Sequence, residues 1–218
     1  LKRVVRETQV DDFVFFLNQF KELGFKGLGE MTVRRYWDDP AVVKLLQGCA
    51  EVGFPITFHS TTEINNDYGV LDEEGLCHLE KVLQMIPNLK ILAHGVMFWT
   101  HISSEPGIAG KNDYSSCGTD RIKSPGRAVE LLEKYPNLYG DISAGSGYKA
   151  ITRDPEFSYD FIKKFEDKLV FGMDYCSPKN DMRHLEWLRE SKENGCITDQ
   201  AFEKITFKNI NRIANLGL

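Results

Sequence analysis

Short apolar runs alternate along the chain with longer segments in which apolar residues recur every three or four positions. Five of the runs end on a polar residue and read "GFKGLGEM", "FPITFHS", "LKILAHG", "NLYGDIS" and "KLVFGMDY". A continuous apolar run of this length is typical of a strand buried on both faces of a parallel sheet. We therefore expect five parallel strands, each with a polar residue at its carboxyl end.

The segments between these runs have the apolar spacing of amphipathic helices. One helix is predicted to begin at Asp39 and Pro40, a capping residue followed by a first-turn proline, and to end at Gly53. The stretch "VDDFVFFLNQFKEL" predicts another helix before the first strand. Further helices are predicted over residues 76–86, 125–135, 158–166, 181–193 and 198–216.

The strand-end residues Glu30, His59, His94, Asp141 and Asp174 lie 29 to 47 residues apart, as expected of repeated strand–helix units. Such repeats close either into a doubly wound open sheet or into a (β/α)8 TIM barrel, both of them α/β folds. None of the runs is followed by a GxGxxG or GxxxxGKS/T loop, so the main argument for a nucleotide-binding open sheet is missing. We predict the barrel, as a single domain over residues 1–218.

In a TIM barrel the carboxyl ends of the strands meet at one mouth. Glu30, His59, His94 and Asp174 would converge there, and two imidazoles with two carboxylates form a ligand set for Zn²⁺, or for Mn²⁺ or Fe²⁺. A bound ion would activate a water molecule, and Asp174 is placed to take its proton. Each residue alone also has an ordinary role as a helix cap or hydrogen-bond partner, so the prediction depends on four ligands at four equivalent positions.

Three further residues are candidates for contact with a small-molecule substrate. His101 follows the "LKILAHG" strand closely enough to line the mouth, with loop packing as the alternative. Arg121 lies in a long loop without periodicity, residues 102–124, and would attract an anionic group unless it is simply solvated. Tyr148 belongs to a set of aromatic residues that would either wall a pocket or pack in the core. The other members of the set are Phe98, Trp99, Tyr114 and Tyr175.

Two other features have weaker functional interpretations. The glycine-rich stretch "SAGSGY", residues 143–148, reads as a turn whose backbone N–H groups would suit an anion. His78 and His184 lie inside helical patterns, away from the strand ends, and we expect them on the surface. The five cysteines are odd in number and dispersed, which favours reduced thiols over a disulfide framework.

Net charge and hydropathy exclude two classes of partner. The formal net charge is −5, so the chain has no basic field with which to hold a nucleic acid. No stretch approaches the roughly 20 apolar residues of a membrane helix, and residues 1–20 lack the pattern of a signal peptide. We expect a cytoplasmic protein that binds neither nucleic acid nor membrane.

The strand motifs, together with "NLYGDISAGSGYKAITRDPEF" and the closing "FKNINRIANLGL", resemble the amidohydrolase superfamily, specifically its amidohydrolase-2 family of TIM-barrel metal-dependent hydrolases. The resemblance runs from about Gly24 to the carboxyl terminus. It implies that the five runs are strands 4 to 8, that His59 and Asp174 are metal ligands, and that His94 is a ligand or catalytic base. Glu30 then occupies the fourth strand, where some relatives place a metal-bridging acid.

One feature of that family is missing from this sequence. The first strand of the family normally ends in a His-x-His pair, and no two histidines lie two positions apart in this chain. The first 23 residues also leave no room for three more strands. We therefore expect three strand–helix units that carry the pair to lie outside this sequence. The part present should then expose strand edges and apolar helix faces, which the missing segment or another chain, as in a homo-oligomer, would cover.

Three functions are compatible with these residues. The first is metal-dependent hydrolysis of a small amide, lactone or ester, with Asp174 and His94 as catalytic residues. The second is a metal-dependent decarboxylase of the same superfamily, which release of carbon dioxide would distinguish from a hydrolase. The third is a catalytically degenerate barrel with a binding role, which predicts no metal and no effect of changing His59.

Overall fold

The computed structural model describes residues 8–63, 68–105 and 121–218. Strands and helices alternate along these residues, which makes the chain an α/β protein. The strands are β1 (Leu28–Met31), β2 (Ile56–Thr61), β3 (Val70–Leu71), β4 (Ile91–His94), β5 (Leu138–Asp141) and β6 (Leu169–Val170). All except the short β3 lie within the five apolar runs, so the strand prediction is confirmed.

The strands form one parallel sheet in the order β1-β2-β4-β5-β6, and β3 pairs with the carboxyl end of β2. Strands that follow one another in sequence are therefore neighbours in space, as in repeated strand–helix units. All five carboxyl ends lie along the same edge. Within the described residues β1 and β6 are the two outer strands of this path, so closure into a barrel and a single domain over residues 1–218 stay predictions.

Helices connect the strands and follow the last of them. They are α1 (Val10–Glu22), α2 (Pro40–Val52), α3 (Cys77–Met85), α4 (Val96–Thr100), α5 (Arg127–Lys134), α6 (Ala144–Thr152), α7 (Pro155–Phe165), α8 (His184–Glu193), α9 (Asp199–Glu203) and α10 (Asn209–Ala214). A π-helical turn, Lys204–Lys208, joins α9 to α10, so the helix predicted over 198–216 is continuous but irregular. The caps predicted for α2 are confirmed. The Asp39 carboxylate accepts the Ala41 N–H at 2.8 Å, and Gly53 ends the helix with φ of 81°.

The glycine-rich stretch after β5 is a helix, so the prediction of a turn over residues 143–148 was wrong. The missing Cβ of Gly147 explains the packing of this helix, α6. A Cβ at that position would lie 2.4 Å from the carbonyl carbon of Ile142. Glycine therefore lets the first turn of α6 pack directly on the backbone that follows β5.

The largest buried side chains pack around the carboxyl halves of the strands. The rings of Trp37 and Phe58 meet edge to face with centroids 4.4 Å apart. The Trp99 indole N–H donates to the carbonyl of Asp141 at 2.8 Å, and Gly140 leaves the space that this ring occupies. Phe98 and Trp99 are fully buried. They therefore pack in the core, which was one of the two roles that the sequence allowed.

Helix α1 and the segment after it present apolar surface to solvent. Phe15, Phe16, Phe20 and Phe25 are between 48% and 61% exposed. Exposed apolar helix faces were predicted from the sequence, and patches of this kind are typical of surfaces that contact another molecule. Within the described residues, no helix has both the length and the apolar character that crossing a membrane requires.

We predict that Gly147→Ala destabilises the protein, whereas Gly145→Ala in the same helix does not. The new Cβ at position 147 meets backbone that cannot move without displacing the end of β5, and overpacking of this kind costs about 1–3 kcal/mol. A Cβ at position 145 meets no atom within 4 Å and should add up to about 1 kcal/mol of helix propensity. Urea unfolding of both variants checks this, and equal midpoints would contradict it.

Candidate metal centre

Three strands each contribute one residue to the centre of the site. Glu30 lies on β1, His59 on β2 and His94 on β4. His59 and His94 are directly opposite in the parallel register of β2 and β4, so their side chains leave the sheet on the same side. The fourth predicted ligand, Asp174, lies in the segment after β6, where its φ of 52° turns the backbone.

The carboxylate of Glu30 lies between the two imidazoles. Its Oε1 is 3.0 Å from Nδ1 of His59 and 3.6 Å from Nε2 of His94. One ligand atom from each of the three residues lies within 4.8 Å of the other two. The Oδ2 of Asp174 is 3.8 Å from the same Nε2 of His94, so all four predicted ligands meet at the carboxyl edge of the sheet.

Burial differs between the imidazoles and the carboxylates. The side chains of His59 and His94 are each 5% exposed, whereas those of Glu30 and Asp174 are 34% and 44% exposed. The two rings therefore form the floor of the site and the two acids its rim.

A second set of contacts holds the other nitrogen of His94. Its Nδ1 is 3.1 Å from Oγ of Ser143 and 3.3 Å from Oδ2 of Asp141. The other oxygen of Asp141 accepts the Ser143 N–H at 2.9 Å, which fixes the carboxylate. Sequence reasoning noted Asp141 as a strand end but left it and Ser143 out of the site. The signal was present, since Asp141 occupies the same position on β5 as the proposed ligands on their strands.

Two glycines shape the pocket around His59. Gly95, with φ of 90°, packs against this ring, and a Cβ there would lie 3.4 Å from the ring and 3.2 Å from the Ser60 nitrogen. On the other side the ring packs on Tyr68, with centroids 4.2 Å apart. Gly69, with φ of 134°, leaves room beside the His59 backbone. The packing of Gly95 on the ring of His59 therefore explains the glycine of the His-Gly dipeptide that ends the run "LKILAHG".

The carboxylates shift the pKa of the histidine they surround. Burial acts to lower the pKa of His94, but the hydrogen bond and charge of Asp141, with the charges of Glu30 and Asp174, raise it above its usual value. The hydrogen bond from His59 lowers the pKa of Glu30, against the smaller opposing effect of burial. The surrounding acids thus favour the protonated form of His94, and His59 favours the ionised form of Glu30.

The donor set fits a divalent metal ion. Two imidazoles and two carboxylates are ligands that Zn²⁺, Mn²⁺ and Fe²⁺ accept. Without a cation, two carboxylates crowd around the ring of His94, so a positive ion would balance their charge. Glu30, His59, His94 and Asp174 are the residues that would hold it.

The predicted substrate contacts are more dispersed. His101 is buried, its Nδ1 donates to the carbonyl of Met97 at 2.8 Å, and its Nε2 accepts the Gly75 N–H at 3.1 Å. These contacts are those of the second alternative for His101, in which it packs in the loop and does not line the mouth. Arg121 is 77% exposed and pairs with Glu156 at 3.0 Å. Their roles in substrate binding stay predictions.

Tyr148 lies on α6, and its ring packs on His184 with centroids 4.9 Å apart. The expectation that His184 lies on the surface was wrong. This histidine is fully buried, and its Nε2 is 2.9 Å from the carbonyl of Ala144. The first turn of α8 packs on α6, a contact between distant segments that helical spacing does not reveal. Tyr114, another of the aromatic residues predicted to wall a pocket, lies outside the described residues.

Neither a protein-family model nor a curated protein matches this sequence. Several solved structures do match it. A 2,6-dihydroxybenzoate decarboxylase from Rhizobium is 15% identical with a TM-score of 0.55, and the match covers 96% of this chain and 68% of the decarboxylase. A dihydroxybenzoic acid decarboxylase from Polaromonas sp. JS666, with bound manganese and the inhibitor 2-nitroresorcinol, is 16% identical with a TM-score of 0.54, and the match covers 96% and 67% of the two chains.

An amidohydrolase 2 from Bifidobacterium longum subsp. infantis also matches, at 13% identity and a TM-score of 0.43 over 82% of this chain. The chain spans 56% of the length of that protein. Two of the solved structures that this chain is similar to are thus decarboxylases. At these identities the similarity establishes the α/β fold that the sequence motifs implied.

We predict that the metal-free protein shows a raised His94 pKa that falls in Asp141→Asn, because this change removes a charge while Ser143 stays in contact. A histidine whose pKa is higher in the folded state than its unfolded value of about 6.5 stabilises the fold. This stabilisation is fully present below the unfolded pKa and is lost as pH rises through the folded pKa. The stability difference between wild type and variant should therefore shrink with rising pH.

Histidine resonances followed by NMR across pH provide the measurement. His101 is the internal control, because burial lowers its pKa and Asp141 is not among the groups that act on it. An unchanged titration of His94 in the variant would contradict the assignment of Asp141 as its charge partner.

Proposed function

We propose that this chain carries most of the metal centre of an enzyme that decarboxylates a small carboxylic acid. The observation that carries the proposal is the cluster of Glu30, His59 and His94 at three adjacent strand ends, with ligand atoms within 4.8 Å of one another. The similarity in fold to two dihydroxybenzoate decarboxylases supports decarboxylation over the other reactions of such centres.

The metal would be held by Glu30, His59 and Asp174, with His94 as a further ligand or as the proton-transfer group beside it. When bound, a divalent ion supplies positive charge that attracts and polarises an anionic substrate. Manganese is the first ion to test, since one structure of similar fold holds it, and Zn²⁺ and Fe²⁺ suit the same donors.

His94 is the group we assign to proton transfer. Loss of carbon dioxide breaks a carbon–carbon bond, leaves its electron pair on the substrate, and requires that carbon to take up a proton. Nε2 of His94 faces the rim of the site, while Asp141 and Ser143 hold Nδ1. A ring that is fixed at one nitrogen can present the other to the substrate in a constant orientation.

Hydrolysis of an amide, lactone or ester is the second candidate. The observation that favours it is the position of Asp174, whose Oδ2 is 3.8 Å from Nε2 of His94. This carboxylate and imidazole are close enough to pass on the proton of a water molecule. Arg121 and Tyr148 would contact the substrate in either reaction, with Tyr148 on the helix that begins beside Ser143.

We predict that the protein binds Mn²⁺ and that Glu30→Gln weakens this binding at least about tenfold, because an amide replaces a charged ligand between two imidazoles. Electron paramagnetic resonance of free Mn²⁺ measures the affinity. Glu186→Gln is the matched control, since the side chain of Glu186 is exposed and pairs with Arg183 away from the cluster. Equal affinity in Glu30→Gln and wild type would remove this cluster as the metal centre.

We predict that the protein releases carbon dioxide from an aromatic acid, with 2,6-dihydroxybenzoate as the first substrate to test. His94→Asn should lower kcat by roughly 10²–10⁴, the usual contribution of a proton-transfer group. Metal content measured on the same sample separates lost proton transfer from lost metal. Release of carbon dioxide at the wild-type rate in His94→Asn would contradict the assignment, and turnover of lactones or esters without carbon dioxide release would favour hydrolysis.

A further inference from the structure

A second cluster of metal-ligating side chains lies around the first turn of α3. Asp72, Cys77 and His78 each offer a ligand atom within 4.8 Å of the others. Glu73 lies beside them, with Oε1 at 3.7 Å from Nε2 of His78 and Oε2 at 3.8 Å from Sγ of Cys77. None of these residues belongs to the centre formed by Glu30, His59, His94 and Asp174.

The ring of His78 is oriented by a carboxylate from another part of the chain. Its Nδ1 is 2.6 Å from Oδ1 of Asp38, and its face packs on Tyr36 with centroids 4.4 Å apart. Lys81 donates to the second oxygen of Asp38 at 2.8 Å and keeps that carboxylate in place. With Asp38 at Nδ1, Nε2 is the ring nitrogen that remains available to a metal ion, and it lies 3.7 Å from Oε1 of Glu73. Histidines that bind metal are commonly held by a carboxylate in this way.

The separations across the cluster suit a tetrahedral ion. Two ligand atoms at about 2.0–2.3 Å from one zinc ion are roughly 3.3–3.8 Å apart at the tetrahedral angle. Oε1 of Glu73 lies 3.7 Å from Nε2 of His78, and its other oxygen, Oε2, lies 3.8 Å from Sγ of Cys77, so each pair taken separately is at the upper end of this range. An ion placed there would replace the thiol proton that Cys77 now directs at Glu73.

Asp72 fixes the backbone that carries these ligands. Its buried carboxylate accepts N–H groups of Glu73 and His78 through Oδ1, and that of Leu79 through Oδ2. Oδ2 accepts only this one bond among the described residues and can take one more partner. The preceding loop is held from its other side, where Arg127 donates to the carbonyl of Gly75. The ligands are therefore arranged before any ion binds.

The charge of the cluster also calls for a cation. Three carboxylates, Asp38, Asp72 and Glu73, surround His78, and Lys81 is the one ammonium group that pairs with them among the described residues. A divalent ion would balance the remaining negative charge. Thiolate and imidazole ligands select Zn²⁺ over Mg²⁺ or Mn²⁺.

We propose that Cys77, His78, Glu73 and Asp72 form a second, structural site for Zn²⁺, with Asp38 orienting His78. The site lies in the connection from β3 to α3, and β3 pairs with the two residues that follow His59 on β2. Zinc at this position would hold that connection against the first turn of α3, next to the mouth of the proposed active site.

Cobalt substitution tests the proposal with a signal that the first centre cannot produce. Co²⁺ bound through a thiolate gives an intense near-ultraviolet charge-transfer absorption, and none of Glu30, His59, His94 and Asp174 carries sulfur. The metal-stripped wild-type protein, titrated with Co²⁺, should develop this band and lose it when Zn²⁺ is added. Cys77→Ser should abolish the band, and Asp38→Asn should weaken Co²⁺ binding about 10–100-fold.

Two variants are controls. His59→Ala, which disrupts the first centre, and Cys176→Ser, which removes an exposed thiol near Asp174, should both keep the band. A band that survives in Cys77→Ser, or that never appears in the wild type at saturating Co²⁺, would overturn the proposal.

A second measurement needs no variant and is unaffected by any folding defect. Alkylation of the wild-type protein with iodoacetamide, read by mass spectrometry, should be slowed at Cys77 at least tenfold by Zn²⁺ and unchanged at exposed Cys196. Equal rates at Cys77 with and without Zn²⁺ would show that the thiol is not a ligand.

Discussion

The candidate site depends on parallel strands that end in register. Because β2 and β4 pair with His59 opposite His94, the two rings lie 5.7 Å apart between centroids and face the same space. A slip of one residue in this pairing would turn one ring to the opposite face of the sheet. The apolar residues of β4 are buried on both faces of the sheet, and this burial is what makes such a slip costly.

The site combines buried imidazoles with carboxylates that stay in contact with water. Imidazoles on its floor lose most of their contact with water, while the carboxylates of Glu30 and Asp174 keep theirs at the rim. Burial alone would favour a neutral ring at His94, and Asp141 behind it has the opposite effect. A buried histidine can stay ionisable here because polar partners at both nitrogens replace the lost water.

The same arrangement of carboxylate and imidazole occurs twice in the chain. Asp141 lies at Nδ1 of His94, and Asp38 lies at Nδ1 of His78. In both places the opposite nitrogen faces further acidic groups, but only the cluster at α3 includes a thiol. The difference in ligands separates the two proposed centres, since oxygen and nitrogen donors suit Mn²⁺ and sulfur favours Zn²⁺.

The sequence by itself determined the five strands, the helix caps at Asp39 and Gly53, and the four polar residues, at or just after the strand ends, that meet at the site. These features are local, because strand burial and helix capping leave their pattern in neighbouring residues. Only the tertiary structure decided that Asp141 and Ser143 hold His94, that His184 is buried, and that residues 144–152 form a helix. The first two outcomes depend on contacts between segments far apart in the chain, which residue spacing does not encode, whereas the helix packs through Gly147 on the backbone of Ile142.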